Sequence, residues 1–171
     1  MFATGPTSEN VMTEQLSASC FCGAIKYRLN ERPMFVHCCH CTDCQKQTGG
    51  AFAINAIIER DCVEFMSGSD QPVVVTLPTD SGRPHDVYRC GKCQTALWSD
   101  YGRRGVMVFV RVSTLDRPHG VVPDVHIFTR SKVPWVRLPE NAKVFEVYYD
   151  MKKEWPAESI ARREALLGKG R

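Results

Sequence analysis

Residues 37–50 read HCCHCTDCQKQTGG, with four cysteines and two histidines inside the first eight positions. Cys39, Cys41 and Cys44 stand in a Cys-x-Cys-x-x-Cys spacing that offers three thiolates to one metal ion. Three protein ligands with a fourth position left open are the usual arrangement of a catalytic zinc. Such a site can hold an incoming thiol as thiolate or polarise a carbonyl oxygen. Those are the needs of a reaction between a thiol and an aldehyde. Cys38, His37, His40 and Cys62 are spare donors, any of which could close the fourth position and make the site structural. Adjacent side chains on extended backbone point to opposite faces, so Cys38 and His40 are expected to face away from Cys39 and Cys41. Spacing alone leaves the open and closed forms undecided.

A second set is split along the chain, as Cys20-Phe-Cys22 and Cys90-Gly-Lys-Cys93. A Cys-x-x-Cys turn doubles the backbone back so that two sulfurs meet one ion. A Cys-x-Cys pair does so because positions i and i+2 share a face. Two tight pairs suit a tetrahedral four-thiolate zinc, which would tie the first strand to a later hairpin. A lone Cys-x-x-Cys could instead be redox-active.

Nine cysteines are an odd number, which leaves one unpaired in any all-disulfide scheme. The opening MFATGPTSENVMTEQLSAS has neither a basic n-region nor an apolar h-region, so it does not read as a signal peptide. The expected location is cytoplasmic, where thiols stay reduced and metal or thiol chemistry is the better explanation of the cysteines. No apolar run is long enough to span a membrane. A net charge of +3 is too small to argue for nucleic acid. With 171 residues, 43% of them hydrophobic, the chain can bury a core of its own. Self-association is left open.

The elements that must hold these residues are short and strand-like: AIKYRL, AFAINAII, CVEFM, PVVVTL, DVYRC, TALWS and VMVFVRV, separated by SGSDQP, PTDSGRP and DYGRRG. This predicts a mostly β fold. CTDCQKQT can form a short helical turn. Residues 113–141 read as a proline-rich irregular wrap with one strand near VHIF. PAESIARREALLGKGR predicts a terminal helix with Pro156 in its first turn, taken as a solvated tail rather than a basic arm. The expected layout is a loose tail over 1–15, a metal-binding β domain over 16–150, and a tail with helix over 151–171.

SCFCGAIKY, HCCHCTDCQKQTGGAF, CGKC and HIFTRSKVPW, in this order, resemble the glutathione-dependent formaldehyde-activating enzyme family, which includes the centromere protein V group. The resemblance covers residues 17–148. It implies small coiled antiparallel β-sheets around a zinc-ribbon-like core and two zinc ions per chain. The structural zinc would sit on Cys20, Cys22, Cys90 and Cys93. The catalytic zinc would sit on Cys39, Cys41 and Cys44, with glutathione as co-substrate close by. Two departures stand out. Gln94 follows Cys93 where the family usually has glycine, and Cys38 makes an unusual vicinal pair with Cys39.

Three functions follow as expectations. The first is a zinc-dependent carbon–sulfur lyase adding a glutathione thiolate to formaldehyde. The second is a related enzyme acting on a larger aldehyde or glutathione conjugate. The third is a zinc-stabilised binding module, which would want more than the six Lys/Arg against three Glu of residues 152–171. Lys46 could pair with a glutathione carboxylate, though a solvated surface lysine is the simpler reading. Thr48 and Gly49-Gly50 could line the mouth or merely end the helix. His126, Ser131 and Trp135 could form a pocket wall, with a satisfied histidine and a core tryptophan as the plainer expectation. His85 and His119 are expected to be exposed in proline-rich loops.

Overall fold

The computed structural model of the chain describes residues 16–79 and 82–168; the tail expected over residues 1–15 lies outside them. Eleven strands follow in order: β1 Leu16–Ser19, β2 Lys26–Leu29, β3 Phe35–Cys39, β4 Ala53–Glu59, β5 Val63–Phe65, β6 Val73–Leu77, β7 His85–Arg89, β8 Ala96–Tyr101, β9 Met107–Arg111, β10 Val125–Ile127 and β11 Lys143–Val144. Three helices accompany them: α1 Thr42–Thr48, α2 Met151–Glu154 and α3 Ala157–Gly168. The mostly β expectation holds. Strands form a three-stranded sheet, β1-β2-β5, and an eight-stranded one, β11-β10-β3-β4-β9-β8-β7-β6. All pairings are antiparallel except β10 with β3 and β10 with β11, which are parallel.

β3, β4 and β9 lie mid-sheet and are buried on both faces, so their residues alternate between two cores. Val36, Ala56, Ile58, Val108 and Val110 face one core with Tyr27, Leu29 and Trp98, and the small sheet closes over it. Tyr27 meets Trp98 edge-on at 5.3 Å between ring centroids. Phe35, Ile57 and Met107 face the other core, roofed by Tyr149 and Trp155. Cys20 and Cys90 belong to the first core, Cys39 and Cys44 to the second. β1 and β3 had no strand signal in the sequence. LSAS is short and polar, and FVHCC is buried at every position rather than alternating.

The terminal helix is not the solvated tail expected of it. Trp155 stacks on Phe35 at 5.4 Å and donates its indole N–H to the Tyr149 hydroxyl at 2.7 Å. Ser159 Oγ donates to the Met34 carbonyl at 2.7 Å. Arg162 forks onto both carboxylate oxygens of Glu59, the bidentate geometry that makes such pairs strong. The amphipathic face of α3 thereby closes the second core, with Ile160 and Leu166 packed against it.

Candidate functional site

Two knuckles meet where β1 ends and β7 turns into β8. Gly23 takes φ 73°, which lets its N–H return to the Cys20 carbonyl at 3.0 Å. The Ile25 N–H donates to Cys20 Sγ at 3.3 Å. Cys20 and Cys22 sulfurs stand 3.5 Å apart, and Cys22 and Cys90 sulfurs 3.8 Å apart. All four sulfurs, with that of Cys93, lie within 4.8 Å of one another. Sulfurs 2.3 Å from a tetrahedral zinc would be about 3.8 Å apart, so the set is spaced to accept one ion. Hydrogen bonds from the Thr95 hydroxyl, then from its backbone amide, hold the Cys93 thiol down at about 5, and metal binding needs the thiolate. Gln94 adopts φ 61° in this turn, so the knuckle keeps the left-handed geometry that glycine would favour.

The other cluster sits at the end of β3 and the start of α1. Cys41 is the N-cap of α1, and its sulfur accepts the Cys44 N–H at 3.4 Å. That single turn of backbone brings Cys41 and Cys44 together. β3 delivers Cys39, and the three sulfurs lie within 4.8 Å of one another. Cys39 and Cys44 are buried, whereas Cys41 is partly exposed. Thiol–thiol hydrogen bonds from Cys39 and then Cys44 pull the Cys41 thiol well down, while the contact with Cys41 pushes Cys39 well up. A divalent cation bound here would hold all three sulfurs as thiolates.

Structure adds neighbours that the sequence does not mark. Arg111 is buried on β9, donating Nη1 to Asn55 Oδ1 and Nη2 to Gln47 Oε1 at 2.9 Å. It lies close enough to Cys44 for its charge to be felt there. His85 was expected in an exposed loop. It is in fact on β7, 2% exposed, with its ring stacked at 3.7 Å on Tyr101. β7 lies inside the large sheet between β6 and β8, which covers it. Burial first, then Arg111, lowers its pKa to about 4. No local pattern predicts either residue, because register across four strands places them.

The remaining expectations sort as follows. Lys46, Thr48 and Gly49 are exposed on the last turn of α1. Thr48 Oγ1 donates to the Cys44 carbonyl at 2.8 Å, and Gly49 caps the helix at φ 65°. Ser131 offers its carbonyl to Gln45 Nε2 at 2.9 Å. Trp135 is no core residue: it is 73% exposed, carried outward by the proline-bearing loop. His119 is exposed. His37 points into the second core against the Tyr149 hydroxyl, and burial lowers its pKa to about 4. Cys62 joins no donor cluster among the described residues. Cys38 turns away from Cys39 and meets His40 and His126 instead.

A cavity of about 780 Å³ lies by Leu16, Arg32, Asp116 and Val121, and no cysteine lines it. A smaller one, about 230 Å³, is lined by Phe109, Tyr148, Trp155 and two cations, Arg104 and Arg163. Tyr148 is also within electrostatic reach of Cys39. Among the described residues, no helix is long and apolar enough to cross a membrane.

A Halomonas elongata protein named "Putative glutathione-dependent formaldehyde-activating enzyme" is 30% identical over 159 residues, covering 90% of this chain and 96% of that one. A crystal structure of a Rhodobacter sphaeroides protein superposes with a TM-score of 0.45 at 18% identity, covering 63% of this chain and 98% of that chain. Residues 15–131 match the model of the family described as glutathione-dependent formaldehyde-activating enzyme. With that match over most of its length and a full-length relative beside it, the chain belongs to the glutathione-dependent formaldehyde-activating enzyme family.

Proposed function

We propose that this chain is a zinc-dependent carbon–sulfur lyase working in the direction of synthesis, joining glutathione to formaldehyde as S-hydroxymethylglutathione. The observation that carries this reading is the Cys39/Cys41/Cys44 cluster, three converging sulfurs of which only Cys41 reaches solvent. Family membership and the name of the Halomonas elongata relative support the choice of glutathione and formaldehyde. Cys20, Cys22, Cys90 and Cys93 would hold a structural zinc, and Cys39, Cys41 and Cys44 a catalytic one. A zinc with three thiolate ligands supplies an exchangeable position at which a thiol is held deprotonated.

In the reaction, the glutathione sulfur forms a bond to the aldehyde carbon while the carbonyl π pair moves to oxygen. That oxygen takes up a proton equivalent to the one the thiol released, so atoms and charge balance. Thiols add to formaldehyde readily unaided, so the chain's task is mainly proximity and orientation. Cys41, at the partly exposed corner, defines the side of approach. Arg104 and Arg163 give the smaller cavity two cations, a charge that suits the two carboxylates of glutathione, although no cysteine lines it. Arg111 places positive charge behind the thiolates. Of the basic residues that a binding module would use, Arg162 is engaged with Glu59.

The test is exchange between free and glutathione-bound formaldehyde, followed by NMR, with wild type and Cys41→Ser. Wild type should speed exchange above the uncatalysed rate. Cys41→Ser should remain folded, bind about one metal ion fewer and give the uncatalysed rate. Retained acceleration, or loss of fold, would refute the assignment of this cluster to catalysis.

A further inference from the structure

The parallel pairing of β3 with β10 sets His126 directly opposite Cys38. Neighbours across a sheet share a face, and so do positions i and i+2 of one strand. The extended course of β3 continues one residue further, because the His40 N–H still donates to the Ile127 carbonyl at 2.9 Å. Cys38, His40 and His126 therefore converge on one face. Cys38 Sγ stands 3.5 Å from His40 Nε2, which stands 3.0 Å from His126 Nδ1. The three donor atoms lie within 4.8 Å of one another. Around a tetrahedral zinc, sulfur and nitrogen ligands would be about 3.5 Å apart and two nitrogens about 3.3 Å.

Hydrogen bonding accounts poorly for this convergence. His40 Nε2 carries either one proton or one in-plane lone pair, so it serves one partner well, yet two approach it. A cation between the three would take a lone pair from each. Cys38 and His40 are buried and His126 is half-buried, so among the described residues the three are most accessible on the His126 side.

We propose that Cys38, His40 and His126 form a third metal site, taking a divalent ion of the zinc class through one thiolate and two imidazoles. It lies on the face of β3 opposite Cys39 and, among the described residues, no fourth His, Cys, Asp or Glu joins the three. It shares no ligand with the other two clusters, and its count as a third ion rests on the two zinc sites of the proposed function. His40 Nδ1 is buried without a hydrogen-bond partner, and metal-bound imidazoles are normally braced there by a carbonyl or carboxylate. Loss of such bracing weakens binding by about 10- to 100-fold, so this site fills last of the three.

Equilibrium dialysis of the full chain against Zn²⁺, with metal counted per chain, tests it. Wild type should saturate at three ions, the last bound at least about tenfold more weakly than the others. Cys38→Ala and His126→Gln should each saturate at two, with the circular dichroism of wild type. Wild type saturating at two overturns the proposal, whether or not the variants fold. So does a third ion retained by either folded variant.

Discussion

The sulfur of Cys22 lies 3.8 Å from that of Cys90, although 68 residues separate them. The contact joins the knuckle ahead of β2, in the small sheet, to the turn between β7 and β8, in the large one. A metal ion held by sulfurs so placed would make its binding part of folding, since the unfolded chain has no such site.

Cys20→Ser is accordingly expected to prevent folding. Binding of a four-thiolate zinc contributes on the order of 10 kcal/mol, comparable with the whole net stability of a domain, ~5–15 kcal/mol. Far-ultraviolet circular dichroism with a zinc count checks this. A Cys20→Ser chain with a wild-type spectrum and cooperative melting would show that the knuckles are not what holds the sheets together.

Gln94→Gly should stabilise the protein. A non-glycine residue in the left-handed region costs about 1 kcal/mol, and Gln94 sits there at φ 61°. The gain is reduced by loss of its side-chain bond to the Gly91 carbonyl at 3.1 Å. The urea midpoint should rise by an amount equivalent to ~0.5 kcal/mol. A lower midpoint would mean that the side-chain bond outweighs the backbone strain.

Arg111→Met should weaken metal binding at the three-cysteine cluster and destabilise the fold. Three thiolates around a divalent cation would leave net negative charge, which the buried guanidinium near Cys44 would offset. Asn55 Oδ1 would lose its partner, at a cost of roughly 1–3 kcal/mol. Competition with a coloured zinc chelator should show one of the tightly held ions released more readily than in wild type. Unchanged release would leave Arg111 a purely structural residue.

His85 should make stability fall on acidification. Its folded pKa is about 4, depressed chiefly by burial, against about 6.5 in the unfolded chain. Between those values the unfolded state takes up a proton that the folded state refuses, so stability rises with pH there and is fully present above about 6.5. His85→Phe, which keeps a ring against Tyr101, should reduce the slope of the urea midpoint between pH 6.5 and 4 without abolishing it, because burial depresses His37 and His40 to about 4 as well. An unaltered slope would assign the acid sensitivity to other groups.

The amino-acid sequence by itself determined the grouping of cysteines into tight pairs and a triplet, the mostly β character and the family. Each of these is local. Two sulfurs two or three residues apart share a face or a turn through backbone geometry alone, and short alternating runs between turn residues announce strands. Tertiary structure decided everything that depends on register between distant strands. It buried His85 within the large sheet. It turned Trp135 outward, brought Arg111 behind the cysteine triplet and laid β10 parallel to β3. In that last pairing, one residue of slip would send His126 to the other face, away from Cys38. Such choices come from how both cores fill at once, so no stretch of sequence states them.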